Sequence, residues 1–184
     1  MGKSCERYVR AVSRNLFELR YSLSERNAIN KFVAVAPETS WSFFSCVYVA
    51  LSNDMFSHAM KVLDTHKDAV SFWFLYRCKK EEVEEYLKDI DLSLTELEKM
   101  TADLKYVRDK THFHIDRNDV FDPTKVWEKA GITGDFFNKV IEGLWEVLNH
   151  LHKLEHGQRF DQPIYEGDDV KDILDVVREK GITI

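Results

Sequence analysis

Apolar residues recur every three or four positions through most of this chain, which has only seven glycines and three prolines among its 184 residues. That spacing places apolar side chains on one face of an α-helix, and glycine and proline are the residues that most often interrupt a helix. Strand-like alternation is nowhere sustained. The pattern therefore predicts an all-α fold, built as an antiparallel up-and-down four-helix-bundle core with additional short helices.

Local signals give the bounds of the first helical segments. The first helix is expected to run from Lys3 to the region of Ser22 to Ser24. A second segment continues to Ala36, and Pro37 closes it because proline disfavours helical geometry in the residue before it. The N-terminal region is therefore predicted to contain two consecutive helical segments.

The next segment is apolar over most of its helical surface. Thr39 or Ser40 is expected to cap it, and it reaches about Leu63. We expect it to be the central core helix. Further helices are predicted over residues 71–78, 81–90, 93–110, 122–127, 133–156 and 168–181. The buried side of the long helix over 133–156 is predicted to carry Phe136, Phe137, Val140, Ile141, Leu144, Val147, Leu148 and Leu151.

Length and charge limit the domain count and the partners. A chain of 184 residues with 44% hydrophobic content can bury one full core, and we expect one helical domain over residues 1–184. The formal net charge of −6 gives the whole molecule no attraction for nucleic acid. Any RNA or DNA binding must therefore come from a local basic patch.

Cysteine usage and the N-terminus indicate a cellular compartment. Cys5, Cys46 and Cys78 contain no C-x-x-C pair, which argues against a disulfide framework and against a cysteine-based zinc site. The N-terminus is charged where a signal peptide would be apolar, and the longest apolar stretch, Phe43 to Leu51, is far shorter than a membrane span. We therefore expect a cytoplasmic protein without a membrane partner.

The segment LKYVRDKTHFHIDR, residues 104–117, concentrates side chains that can carry chemistry. His112 and His114 are two residues apart, so a helix directs them to opposite sides and they do not chelate one ion together. His112 with Asp116 has the right spacing but offers only two ligands. This segment therefore predicts no metal site, and we expect no cofactor.

A second histidine-rich segment closes the long helix. His152, Glu155 and His156 match the short H-x-x-E-H pattern of some zinc peptidases. Histidines near a helix C-terminus are favoured there by the helix dipole when they are protonated. For His150, His152 and His156 we therefore expect a solvated helix face and no metal.

Arg108 and His114 suit acid/base chemistry on a phosphodiester. The guanidinium can hold a phosphate through two hydrogen bonds, and the imidazole exchanges protons near neutral pH. The two residues are six positions apart, which on one helix separates them by about 120° and about 9 Å along the axis. Either the helix ends within the motif or a second copy of the chain completes the site. The competing interpretation is a solvated helix end in which His114 lies at the edge of the core.

The order Arg108, Asp109, Lys-Thr-His-Phe and His114 resembles the R-x4-6-H signature of HEPN domains, the higher eukaryotes and prokaryotes nucleotide-binding family. The wider stretch LKYVRDKTHFHID resembles the L-R-N-K-x-x-A-H-x-D form of the abortive-infection and toxin branches. Two positions depart from the pattern: Asp109 replaces the commoner asparagine, and Phe113 stands where a small residue is usual. The resemblance implies a four-helix-bundle core, a homodimer formed through the motif-bearing helices, and often metal-independent endoribonuclease activity.

The same resemblance implies roles for individual residues. Arg108 would hold and polarise the scissile phosphate, Asp109 would position the arginine or the substrate, and His114 would act on the ribose 2′-OH or the leaving group. Lys110 and His112 are expected to contact the substrate. On a helix Asp109 points away from the predicted buried face, so its role needs a helix distortion or a contact across the dimer. The implied partners are RNA and an antitoxin or nucleotidyltransferase; the alternative function is a non-catalytic module that binds RNA, a nucleotide or a protein.

Two further features are compatible with nucleic-acid binding. Lys3, Arg7, Arg10 and Arg14 form a basic stripe on one face of the first helix, which is either a phosphate-binding surface or an ordinary solvated face. The aromatic segment over residues 71–78 is either a stacking platform for bases or part of the core. Its aromatic residues are Phe72, Trp73, Phe74 and Tyr76.

Overall fold

The computed structural model describes residues 3–35, 42–112 and 124–179, and these residues form helices and connecting turns with no strand among them. The all-α prediction is confirmed; the four-helix-bundle arrangement stays a prediction. In chain order the described elements are α1 (Lys3–Val35), α2 (Ser42–Val62), α3 (Phe72–Cys78), α4 (Lys80–Asp89), α5 (Leu94–Val107), a π-helix (Arg108–His112), α6 (Thr124–Ala130), α7 (Gly134–His156) and α8 (Asp168–Glu179).

The chain divides into two compact units. The first unit comprises Met1–Leu19 and Ala59–Phe160, and the second comprises Arg20–His58 and Asp161–Ile184. The single domain expected over residues 1–184 stays a prediction. Each of the two units has its own internal packing.

The core of the first unit is built on α5 and α7. α5 packs against α6 and α7, and α4 packs against α3 and α7. Leu97 and Leu104 of α5 and Leu144 and Leu148 of α7 are almost completely buried. Burial of one leucine side chain contributes about 1.5–3 kcal/mol, so this helix pair is a main source of stability in the unit.

Side-chain caps fix the ends of α5 and α7. The Ser93 hydroxyl accepts a hydrogen bond from the Glu96 backbone N–H at 3.2 Å, and the Ser93 backbone N–H donates to the Glu96 carboxylate at 2.8 Å, which completes a capping box. Thr133 caps α7 by accepting from the Phe136 N–H. Gly157 ends α7 in the left-handed conformation, with φ of 74°, where glycine carries no steric penalty.

Replacing Ser93 by alanine is expected to lower the free energy of unfolding by about 1 kcal/mol, because the Glu96 N–H loses its side-chain acceptor at the start of α5. Urea denaturation followed by circular dichroism measures the change. Ser13→Ala is the matched control, since Ser13 lies in the interior of α1 within the same unit. Equal stabilities for Ser93→Ala and the wild type would contradict the stabilising role of the capping box.

The second unit is held by polar contacts between distant parts of the chain. The Ser22 hydroxyl donates to the Met55 carbonyl at 3.0 Å and joins α1 to α2. The Lys31 ammonium pairs with Asp168 at 2.9 Å and joins α1 to the start of α8. Gly167, with φ of 77°, precedes α8, and a Cβ built there would lie 3.1 Å from a backbone oxygen of α1. This close approach and the positive φ both require glycine.

Two helical predictions were wrong. α1 continues without a break through Ser22 and Ser24 to Val35, because the Ser22 hydroxyl is satisfied by the Met55 carbonyl and does not compete with the helix backbone. α2 is not a fully buried core helix: Tyr48 and Val49 are 42% and 53% exposed. The apolar composition of a helix indicates that its burial is favourable. Whether every face is buried depends on which other elements pack against the helix. The predicted caps Thr39 and Ser40 lie outside the described residues.

Candidate functional site

The motif lies where the α-helical geometry of α5 changes. α5 ends at Val107, and the next five residues, Arg108–His112, form a π-helix. The Thr111 hydroxyl donates to the Val107 carbonyl at 2.8 Å and contributes to this turn. π-Helical turns are rare and often occur at functional sites. The structure therefore contains a helix distortion at Asp109, which is one of the two conditions that the sequence set for its role.

Arg108 is held by two carboxylates. Its Nε donates to Asp109 Oδ1 at 3.0 Å, and its Nη1 lies 3.9 Å from Asp64 Oδ1. The Arg108 side chain is 26% exposed, so packing and these charges fix the direction of the guanidinium. A guanidinium that is oriented in advance loses less entropy when it binds an anion.

Asp109 joins the two cations of the motif. Its other carboxylate oxygen, Oδ2, accepts from Lys105 Nζ at 2.5 Å. The hydrogen bond from Lys105 and then that from Arg108 lower the pKa of Asp109 below its usual range, while burial acts in the opposite direction. Asp109 is therefore ionised at neutral pH and positions Arg108, whereas Lys105 compensates the negative charge that this aspartate introduces.

Arg108 lines a small gap that adjoins a larger cleft. The gap that it lines together with Asp64, Thr101 and Lys105 is small, about 10 Å³, which is room for about one water molecule. A larger cleft of about 420 Å³ shares Thr65, Thr101 and Lys105 with this gap. Its lining consists of Thr65, Trp73, Arg77, Glu98, Thr101, Ala102 and Lys105.

The larger cleft combines an aromatic ring with cations. The Trp73 indole N–H donates to the Thr101 hydroxyl at 3.2 Å, which fixes the ring against α5. Arg77 and Lys105 supply positive charge in the same cleft, and Glu98 supplies one negative charge. An aromatic face beside cations can accept a base and the phosphate attached to it.

Sequence reasoning named Trp73 among the aromatic residues of a candidate stacking platform but missed the other residues that line this cleft. Thr101, Lys105 and Arg108 are spaced by four and three residues, which places them on one face of α5 and its continuation. This spacing is the sequence signal from which Thr101 and Lys105 could have been identified as neighbours of Arg108. The contribution of Trp73 and Arg77 depends on the packing of α3 and could not be obtained from spacing alone.

The other predicted motif residues are only partly described. Lys110 is half-buried in the π-helix. His112 is the last residue of that helix, and its side chain, like the whole of His114 and Phe113, lies outside the described residues. The convergence of His114 with Arg108 therefore stays a prediction.

The basic stripe of α1 lines a groove. Arg7, Arg10 and Arg14 surround a space of about 380 Å³ together with Val70. Arg10 pairs with Glu6 at 2.6 Å, and Arg14 pairs with Glu18. The Arg7 guanidinium lies 5.5 Å from the centre of the Phe74 ring. These cations share one groove, but carboxylates of the same helix neutralise Arg10 and Arg14 in part. The role of the three arginines in substrate binding stays a prediction.

The aromatic segment contributes both to the core and to the cleft. Phe72 is fully buried, whereas Trp73, Phe74 and Tyr76 are half-buried. The Tyr76 hydroxyl donates to Glu84 at 2.7 Å, and this hydrogen bond is the first cause that raises the pKa of Tyr76 to about 12. Of the four aromatic residues in this segment, Trp73 is the one that lines the larger cleft.

The expectation of a solvated histidine face at the end of α7 was wrong for two residues. His152 is buried, and its Nδ1 lies 3.0 Å from the Gln158 carbonyl oxygen. His150 is half-buried, pairs with Glu82 and stacks on the Tyr86 ring. The His150 contacts arise because α4, which carries Glu82 and Tyr86, packs against α7. His156 is exposed, as expected.

No protein family, curated protein or solved structure matches this chain. Within the described residues, no helix is long and apolar enough to cross a membrane. The fold and the site define a helical protein in which a π-helical turn presents an oriented arginine beside a cleft that contains a tryptophan and further cations.

Proposed function

We propose that this chain is a HEPN-like, metal-independent endoribonuclease of the toxin or phage-defence type that acts as a homodimer in the cytoplasm, with Arg108 and His114 at its site. The observation that carries the proposal is the Arg108–Asp109 pair on the π-helical turn, beside a cleft with an aromatic ring and cations. This arrangement supports phosphate binding next to a nucleobase.

The cleft supports the recognition of a single-stranded RNA segment. A base stacks on Trp73, while Arg77 and Lys105 balance the charge of the attached phosphate. The formal net charge of the whole chain is −6, which repels the polyanion, so binding depends on this local group of cations. Because any base can stack on an aromatic ring, we expect the cleft to bind RNA with little sequence preference.

The proposed reaction needs no metal ion. Arg108 holds the scissile phosphate through its guanidinium, and Asp109 fixes the direction of that group. His114 takes the proton of the ribose 2′-OH or gives a proton to the leaving oxygen. The 2′ oxygen attacks phosphorus, the bond from phosphorus to the 5′ oxygen breaks, and the 5′ oxygen leaves with a proton. The products are a 2′,3′-cyclic phosphate and a 5′-hydroxyl, and DNA is not cleaved because it has no 2′-OH.

A dimer would supply the second acid/base group. General acid–base cleavage of this kind uses one group to remove a proton and one to donate a proton. The motif contributes one His114 per chain, so two motif-bearing turns facing each other would provide both groups. The need for two acid/base groups, with one His114 in each chain, is why we propose a homodimer.

The second candidate function is a non-catalytic HEPN-like module that binds RNA, a nucleotide or a protein such as an antitoxin or nucleotidyltransferase. It is favoured by one observation: Arg108 is already paired with Asp109, and the gap next to it holds about one water molecule. Such a site would accept a phosphate group in the neighbouring cleft without bringing that phosphate into contact with Arg108.

Incubation of the purified protein with mixed cellular RNA in excess EDTA tests the proposal. We expect fragmentation that survives EDTA and leaves 2′,3′-cyclic phosphate ends, because no step uses a metal ion. His114→Ala should abolish the fragmentation, whereas His66→Ala, at an exposed histidine of the first unit, should retain it. Wild-type cleavage no greater than that of His114→Ala, with RNA binding retained, would favour the non-catalytic module.

A further inference from the structure

A second group of chemistry-bearing side chains lies within the second unit. Glu25 belongs to α1, and Asp54 and His58 belong to α2. His58 Nε2 is 3.7 Å from Asp54 Oδ2 and 4.0 Å from Glu25 Oε1. One donor atom from each of the three side chains lies within 4.8 Å of the other two. A nitrogen and two carboxylate oxygens therefore converge on one point.

The folding of the unit explains why these residues meet. Asp54 and His58 are four positions apart, so their side chains share one face of α2. The hydrogen bond from the Ser22 hydroxyl to the Met55 carbonyl fixes α1 beside that face, and Glu25 follows Ser22 by three residues. The convergence is therefore set by the helix pairing and by an i, i+4 register.

Two of the three side chains are held in place by packing. The Glu25 and His58 side chains are 14% and 13% exposed, whereas Asp54 is 61% exposed. The Tyr21 ring stacks on the His58 imidazole with ring centres 5.1 Å apart. Fixed ligands reduce the ordering cost of binding, and the exposed aspartate leaves an entry path from solvent.

We propose that Glu25, Asp54 and His58 bind a divalent transition-metal ion, of which Zn²⁺ is the best fit. Imidazole together with carboxylates suits Zn²⁺, whereas Ca²⁺ takes six to eight oxygen ligands and Mg²⁺ keeps several waters. Metal–ligand bonds of about 2.1 Å place the ligands of a tetrahedral ion about 3.4 Å apart. The two separations from His58, 3.7 and 4.0 Å, then need to close by less than about 1 Å, and the separation between Glu25 and Asp54, which is within 4.8 Å, by no more than about 1.4 Å. A water molecule would occupy the fourth position.

The ion would add a link between α1 and α2 inside the second unit. Two carboxylates that face one imidazole carry two negative charges, which a divalent cation neutralises. Zn²⁺ binding at this site is independent of RNA cleavage, because Arg108 belongs to the first unit and the proposed reaction uses no metal. Either proposal can fail without the other.

Isothermal titration calorimetry of the metal-stripped full chain with ZnCl₂ tests the site. We expect one saturable equivalent of Zn²⁺ in the wild type. The Kd should rise at least about tenfold in Glu25→Gln and Asp54→Asn, which replace an anionic ligand by a neutral amide, and in His58→Gln, which removes the imidazole. A higher Tm in the presence of Zn²⁺ should accompany binding in the wild type.

Two histidine variants serve as controls. His66→Gln removes an imidazole whose Nδ1 is 3.9 Å from Asp68, and His156→Gln removes an imidazole stacked on His152. Both should bind Zn²⁺ as the wild type does. The site would be overturned by the absence of a saturable equivalent in the wild type, or by wild-type affinity in both Glu25→Gln and Asp54→Asn. Loss of binding in His156→Gln alone would also overturn it. Asp54 is exposed, so Asp54→Asn decides the question even if His58→Gln does not fold.

Discussion

Replacing Arg108 by glutamine is expected to lower kcat/KM for RNA cleavage by about a hundredfold or more. Removal of one group that stabilises developing charge in a transition state typically costs about 10²- to 10³-fold. Glutamine keeps a hydrogen-bond donor but carries no positive charge for the phosphate. Asp109 retains its partner Lys105 in this variant, so the local structure is expected to persist. Initial rates on a fluorogenic RNA oligonucleotide in EDTA provide the measurement.

Arg77→Gln is the matched control for this prediction. Arg77 lines the larger cleft but lies outside the motif, so its removal should raise KM a few-fold and leave kcat nearly unchanged. Arg108→Lys should recover only part of the activity, because an ammonium group does not form the bidentate contact of a guanidinium. Equal losses for Arg77→Gln and Arg108→Gln would indicate that both arginines contribute only general attraction, and the catalytic role of Arg108 would then be abandoned.

Features that depend on neighbouring residues in the chain could be predicted from sequence. Thr133 and Gly157 mark the two ends of α7 because each acts on backbone groups of its own helix. The buried side of α7 also agrees with the apolar spacing: Val140, Leu144 and Leu151 are fully buried. A strongly amphipathic helix has only one apolar face to turn toward a core. The apolar spacing in the sequence is therefore enough to predict which side of α7 is buried.

Features that depend on distant residues could not be predicted. Spacing identifies Asp54 and His58 as partners on α2, but only the pairing of α1 with α2 brings Glu25 to them. Similarly, the burial of His152 depends on its contact with Gln158 beyond the end of the helix. Sequence patterns describe which face of a helix is apolar, whereas the identity of the neighbour is a property of the tertiary structure.

The candidate site was partly predictable for the same reason. The motif order from Arg108 to His114 is visible in the sequence, and the angle between Asp109 and the buried face predicts either a helix distortion or a contact across a dimer. The π-helical form of that distortion has no reliable sequence signal, because it replaces i to i+4 hydrogen bonds by i to i+5 bonds without changing the local composition. The small gap beside Arg108 likewise depends on Asp64, which precedes α3.

Leu144→Ala is expected to lower the free energy of unfolding of the first unit by about 2–5 kcal/mol. Leu144 is fully buried in α7, so truncation removes its transfer free energy and leaves a cavity that rigid helical neighbours fill only in part. This loss is large compared with the total stability of an ordinary domain, about 5–15 kcal/mol. Urea unfolding followed by tryptophan fluorescence is a suitable measurement, because Trp73, Trp127 and Trp145 all belong to this unit.

Leu154→Ala provides the comparison on the same helix. Leu154 is 52% exposed, so its truncation leaves no enclosed cavity and should change stability by no more than about 0.5 kcal/mol. Both substitutions have the same effect on intrinsic helix propensity, and their difference therefore isolates burial. Similar losses in the two variants would mean that α7 does not bury its Leu144 face in solution. The packing of α5 on α7, which sets the direction of the helix that carries Arg108, would then have to be revised.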